Sequence, residues 1–157
     1  MKHTLVLIVL LTLASCNNTK NEPNTNEKPE FEVNFLEGYF PKNDIEFNAP
    51  VKTLVIRDKE SFQKYFGIAQ TMKNDIPEID FENHKVIALI SAPSDKKQEI
   101  AVTNTQLKKN KIQVKYKLIL GKETQSFTAT ALKIFTIPES VYAVDFIVDR
   151  NKDKTQK

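Results

Sequence analysis

A chain of 157 residues, 40% hydrophobic and 27% charged, has room for a single core of ordinary domain size. Lys+Arg 23 against Asp+Glu 20 leaves a formal charge of +3, too small and too dispersed for a nucleic-acid footprint. With 3 Gly, 1 Cys, 2 His and no Trp, the material for a glycine-rich phosphate loop or a Cys/His zinc cage is missing, and no cofactor or metal is expected.

Met1-Lys2-His3 puts positive charge ahead of an almost wholly apolar run at 5–13, and Leu13-Ala14-Ser15-Cys16 follows. That is the layout of a secretory signal peptide over residues 1–15. The run is shorter than the roughly 20 residues that span a bilayer. Leu-Ala-Ser-Cys at this place resembles the lipobox of bacterial lipoproteins, which are cleaved before the cysteine, here between Ser15 and Cys16. The cysteine then carries thioether-linked diacylglycerol and usually a third acyl chain. The resemblance implies lipidation at Cys16 and makes the single cysteine an anchor, not a nucleophile. At about 0.8 kcal/mol per buried CH₂, several acyl chains hold a protein on a membrane essentially permanently.

From Asn17 to residue 30 there is no aliphatic or aromatic side chain, so nothing can be buried in exchange for order. Residues 16–30 are therefore expected to be the lipidated Cys and a disordered tether, followed by a single domain over 31–149 and a polar tail over 150–157. Asn17 is not the Asp that favours inner-membrane retention in enteric bacteria, which points to the outer membrane of a bacterial envelope.

Within the domain, Phe31, Val33 and Phe35 alternate with polar positions and predict a first strand, ended by Gly38 and Pro41. Val51-Lys-Thr-Leu-Val-Ile-Arg57 predicts a second strand. Asp58 stands where an N-cap belongs, and Phe62, Tyr65 and Phe66 then make one apolar helix face, with Gly67 as the stop. The run 85–90 has the continuous apolar character of a central strand buried on both faces. Residues 100–107 and 112–120 alternate about a polar turn at 108–110 and predict a hairpin. Phe127, Ala129 and Ala131 run into a strand at 134–137. A last strand at 141–148 carries Tyr142, Val144, Phe146 and Val148 on one face and Asp145 on the other. The fold class expected is α+β, a mostly antiparallel β domain of about seven strands with one short helix after the second.

Val-Ile-Arg-Asp-Lys-Glu-Ser-Phe at 55–62, Ile-Asp-Phe at 79–81, the hairpin at 99–117 and Ile-Pro-Glu-Ser at 137–140 ahead of Val144-Asp-Phe146 resemble the PrcB C-terminal domain family over about 52–148. The family consists of small domains of bacterial secreted proteins and lipoproteins, named for a lipoprotein subunit of a cell-surface protease complex. The resemblance implies an accessory, non-catalytic role and a protein partner in the envelope. Many members carry Gly-Gly-Tyr after the central strand, where this chain has Ser91, Ala92, Pro93, Ser94 and Asp95. Those five residues are the candidate partner-binding positions, read as part of an exposed loop that reaches Lys97.

His84, in Glu82-Asn-His-Lys85, reads as a solvent-facing turn residue and not as a catalytic base. Asp75, Glu78, Asp80 and Glu82 form an acidic cluster with oxygen ligands for Ca²⁺, but without the Asp-x-Asp-x-Asp-Gly frame and with Pro77 inside it. Lys108, Lys109, Lys111, Lys115 and Lys117 concentrate charge on the hairpin, where Lys115 and Lys117 read as a solvated face that protects an edge strand, with a site for an acidic partner as the alternative. Phe31, Phe35, Tyr39 and Phe40 read as a strand that closes the core, with an exposed aromatic patch for a partner as the alternative. The function expected is a non-enzymatic, lipid-anchored binding or assembly subunit, with a secreted protease among its candidate clients. The alternatives are a small hydrolase using Asp80 and Glu82, or a periplasmic inhibitor presenting the Ser91 loop.

Overall fold

The computed structural model describes residues 33–69, 76 and 78–150. In chain order the elements are β1 (Tyr39–Pro41), β2 (Val51–Ile56), α1 (Lys59–Tyr65), β3 (Phe66–Ile68), β4 (His84–Ser91), β5 (Ser94–Lys108), β6 (Lys111–Ala129), β7 (Leu132–Pro138) and β8 (Ala143–Val148). They form a sheet of order β2-β4-β7, a second of order β5-β6-β8 and a two-stranded ribbon of β1 and β3. All pairs are antiparallel except β6 with β8. The fold is α+β, mostly antiparallel β, with one short helix after β2.

The helix starts where a cap was expected. Asp58 is extended, its Oδ1 accepts from the Ser61 amide at 2.7 Å and its Oδ2 from Ser61 Oγ at 2.8 Å, which satisfies an orphan donor of the first turn. Glu60 in the first turn and Lys64 in the last suit the helix dipole. The stop differs from expectation. Phe66, already extended at φ −126°, is the C-cap, and Gly67 lies inside β3 opposite Phe40. Gly67 is needed for space: a Cβ there would meet the Phe40 ring at 2.5 Å. The stretch around Gly38 and Pro41 is strand β1, where an interruption was expected, and of the first strand only Phe35 is paired, in a single bridge to Phe135. Phe31 lies outside the described residues.

β4 is the keystone. Its backbone pairs with β2 on one side and β7 on the other, and every residue from Val86 to Ile90 is fully buried. Strand side chains alternate in direction, so Val86, Ala88 and Ile90 pack with Ile56, Phe62, Phe66 and Ile134 under the helix. Ile87 packs with Ile112, Val114, Phe135 and Ile137, and Leu89 with Ile100 and Tyr116, toward the second sheet. Three layers result, and the central strand must be apolar at both parities. Lys85 is the exception. Only 3% exposed, it shares the register of Ile137; its Nζ donates to the Val141 carbonyl at 2.6 Å and lies 3.3 Å from Glu139 Oε1.

In the second sheet the hairpin β5–β6 turns on Lys109 and Asn110, between the paired Lys108 and Lys111. Lys109 adopts φ 54°, a left-handed conformation that costs an L-residue about 1–2 kcal/mol. β8 lies parallel to β6, with Val144 beside Ile112 and Phe146 beside Val114. Those two half-buried side chains join the core, while Tyr142 and Val148 stay exposed. β6 is thus the middle strand, so Lys115 and Lys117 do not guard an edge; β5 and β8 are the edges. At the other end of the hairpin the register slips. From Gln98↔Leu120 to Ser94↔Ala129, β6 uses nine residues where β5 uses four, and Leu120 and Phe127 are left exposed.

Candidate functional site: an aromatic cleft beside the helix

On the helix side of the first sheet a cleft of about 220 Å³ opens between α1, the β1–β3 ribbon and the chain leading to β4. Phe62 and Phe66 form its floor, buried because the i, i+4 face of the helix and its extended C-cap both turn inward. Tyr39 meets Phe62 edge-on at a centroid distance of 5.1 Å, and Phe81 lies 6.0 Å from the same ring, both within the range of favourable aromatic pairs. Ile68, Ile76 and Ile79 complete the apolar wall. Ile76 also contacts Gly38, whose φ of 85° and lack of a Cβ admit it.

The rim is polar and charged. Lys59 Nζ donates to Glu78 Oε1 at 2.7 Å, with both side chains largely exposed. That hydrogen bond, with the opposite charge behind it, holds the Glu78 carboxyl below its ordinary range and the Lys59 ammonium above its own. Burial, with a smaller contribution from the Glu78 charge, pushes the Tyr39 phenol up. The result is an apolar slot with a paired cation and anion at its mouth. It is larger than the dry cavity of about 150 Å³ that takes up benzene, and Ile68 and Phe40, 60% and 48% exposed, extend the apolar surface on the ribbon side.

Of the acidic cluster, Asp75 lies outside the described residues and the rest are not aimed at one point. Glu78 is held by Lys59. The Asp80 Oδ1 accepts from the amides of Glu82 and Asn83, and its Oδ2 from the Asn83 side chain. Those hydrogen bonds, the Asn83 side chain first, lower the Asp80 pKa, and the residue works as the cap of the turn that feeds β4. Among the described residues no three His, Cys, Asp or Glu side chains come together as a metal group. His84 is the half-buried first residue of β4, with Nδ1 3.9 Å from Asp80 Oδ2.

The stretch read as an exposed loop from Ser91 to Lys97 is not a loop. Ser91 ends β4 fully buried, its amide donating to the Ala131 carbonyl and its Oγ accepting from the Ala131 amide. The Ala92 amide donates to the Pro50 carbonyl, and the Ala92 carbonyl accepts from the Gln98 side chain. Ser94 already belongs to β5, and its Oγ accepts from the Lys96 amide. Only Pro93 and Asp95 of the five are exposed. A Ser-Ala-Pro-Ser run has the composition of a loop, but its donors and acceptors are consumed at the corner where β4 passes into the second sheet.

The aromatic foursome also divides. Tyr39 closes the core over Phe62, whereas Phe35 and Phe40 are nearly half exposed. Phe35 meets Phe135 edge-on and lies under Lys133 Nζ at 5.2 Å from its centroid. Ser15 and Cys16 lie outside the described residues. No helix among the described residues is long and apolar enough to cross a membrane. No family model, curated protein or solved structure matches this chain.

Proposed function

We propose that this protein is a lipid-anchored component of the bacterial envelope, in the outer membrane, that binds another protein and has no catalytic role. Its partner would be an envelope or secreted protein, a protease among the candidates. Leu13-Ala14-Ser15-Cys16 at the end of an apolar run supports the anchor, and the resemblance to the PrcB C-terminal domain family supports the accessory role.

The observation that carries the binding reading is the aromatic cleft. Its rim charges are paired with each other, its floor is apolar, and Ile68 and Phe40 stand exposed beside it. Protein interfaces take their strength from apolar anchors seated in such pockets. An apolar side chain of the partner would fill the slot while its polar flank meets Lys59 or Glu78.

The test is crosslinked co-purification of the native lipidated protein from detergent-solubilised envelopes, repeated with Ile68→Asp. One dominant protein, recovered in stoichiometric amount and lost with Ile68→Asp, is the expected result. Recovery of no specific protein, or of the same protein from the variant, overturns the assignment of the cleft. For the anchor, Cys16→Ser should abolish incorporation of labelled fatty acid.

A further inference from the structure

The charges of the described residues divide unevenly between the β5–β6 hairpin and the rest. Residues 94–129, which make the β5–β6 hairpin, hold eight lysines against three carboxylates, while the other described residues hold eight basic and eleven acidic side chains. Pairing register puts Lys108, Lys111, Lys115 and Lys117 on the one face of β5 and β6 that points away from the core, opposite Ile112, Val114 and Tyr116. The acidic groups about that face are Glu99 on β5, Asp145 on β8, whose Oδ2 lies 2.7 Å from Lys111 Nζ, and Asp149 just past β8, whose Oδ2 accepts from Thr103 Oγ1 on β5. Asp80, Glu82 and Glu139, by contrast, belong to the turns at the end of the first sheet.

Two further observations pick out the turn end of this hairpin. Lys109 occupies the left-handed corner, where Gly or Asn fits with less strain, so a long cationic side chain stands at the very tip. Tyr142, 70% exposed, is fastened beside it by its amide to the Asn110 carbonyl at 2.9 Å. Tyrosine among lysines is the composition of a membrane-interface anchor. Val33, the first described residue, packs on the core cluster of Ile87, Ile112 and Phe135, and from Val33 back to Cys16 the backbone reaches at most about 60 Å.

We infer that the β5–β6 hairpin is the membrane-facing side of the protein: Lys108, Lys109, Lys111 and Lys115, with Tyr142 beside them, dock on the headgroups of an anionic phospholipid bilayer while the aromatic cleft on the opposite layer stays turned away for a partner. This rests on the lipid-anchor reading, because the anchor keeps a weak electrostatic contact within reach of the surface. Each lysine brought to an anionic bilayer favours contact about fivefold, and salt screens the effect. The more acidic remainder of the molecule opposes the reverse orientation.

The test uses the full-length lipidated protein in two kinds of vesicle, phosphatidylcholine alone and phosphatidylcholine mixed with phosphatidylglycerol. Surface amines are acetylated in a short pulse at low and at high salt, and each lysine is read by mass spectrometry. On the anionic vesicles at low salt Lys108, Lys109, Lys111 and Lys115 should label several-fold more slowly, Lys59 and Lys64 on the helix should be unchanged, and high salt should erase the difference. The double variant Lys108→Gln/Lys109→Gln should lessen the protection at Lys115. Equal labelling in both vesicles, or protection centred on Lys59 and Lys64, overturns the orientation. Protection of the hairpin in native envelopes but in neither vesicle also overturns it and assigns the face to an acidic protein. Flotation with neutral vesicles separates the two readings. Protein that does not float there refutes the anchor and the docking together, and protein that floats but shows no lysine contrast refutes the docking alone.

Discussion

The sheets β2-β4-β7 and β5-β6-β8 contain three strands each, yet they obey different rules. The first is covered on both faces, so its middle strand is apolar at every position from Val86 to Ile90. The second is covered on one face, so its middle strand alternates, with Ile112, Val114 and Tyr116 buried and Lys115 and Lys117 turned outward. A middle strand is therefore recognised by its surroundings, not by one pattern: burial on two faces writes a continuous run and burial on one face writes alternation.

The largest expected effect tests that difference directly. Leu89→Ala, in the doubly covered strand and fully buried, should cost about 2–5 kcal/mol in urea unfolding. Leu120→Ala, 54% exposed in the second sheet, should change stability by no more than about 0.5 kcal/mol. Equal losses would dissolve the distinction between the sheets. Next comes a pair of lysines on the two middle strands. Lys85→Met removes the donor that satisfies the Val141 carbonyl and should cost about 1–3 kcal/mol, whereas Lys115→Met, on the outer face of β6, should lie within about 0.5 kcal/mol of the parent.

A smaller effect, of opposite sign, sharpens the picture of the hairpin. Lys109→Gly relieves a left-handed residue but gives the unfolded chain more freedom, for a net gain of about 0.5 kcal/mol; a loss of stability would show that the turn is not strained. The smallest effect belongs to the helix layer. Asp58 lies below its ordinary value of 3.8, chiefly through the Ser61 amide, and Asp80 lies below the same value through the Asn83 side chain. Carboxyls whose pKa is lowered by folding stabilise the fold above their unfolded values and lose that contribution as pH falls through the folded ones. The urea midpoint should therefore fall as the pH drops below about 3.8, and Asp58→Asn, which keeps a capping oxygen, should flatten part of that slope.

What the sequence disclosed follows from how local each signal is. Asp58, the hairpin alternation and the apolar run of β4 are short-range patterns, and each became the element it predicted. β1 and β3 were missed because each has three residues and is defined only by the other, Phe40 folding over Gly67. The seven strands expected became eight described ones by the gain of these two and the reduction of the first to the Phe35 bridge. The parallel register of β8 with β6 leaves no trace in either strand. The aromatic cleft was legible only in fragments. Phe62 and Phe66 were visible as a helix face, but Lys59 and Glu78 meet across nineteen residues with no periodicity to announce it. Ser91 misled because hydroxyls and a proline read as loop until their tertiary hydrogen bonds are known.

The central place of β4 also sets a timetable. Its neighbours are β2, already made, and β7, which begins at Leu132. As the chain emerges from its N-terminal end, the roughly forty residues from Ser91 to Leu132 separate β4 from this second neighbour. Throughout that interval one edge of the most apolar stretch in the domain has no partner, and β5 and β6, which cover Leu89, are only just emerging. Residues 86–90 are thus the segment on which a holding chaperone would act, and the one from which aggregation would start if none did.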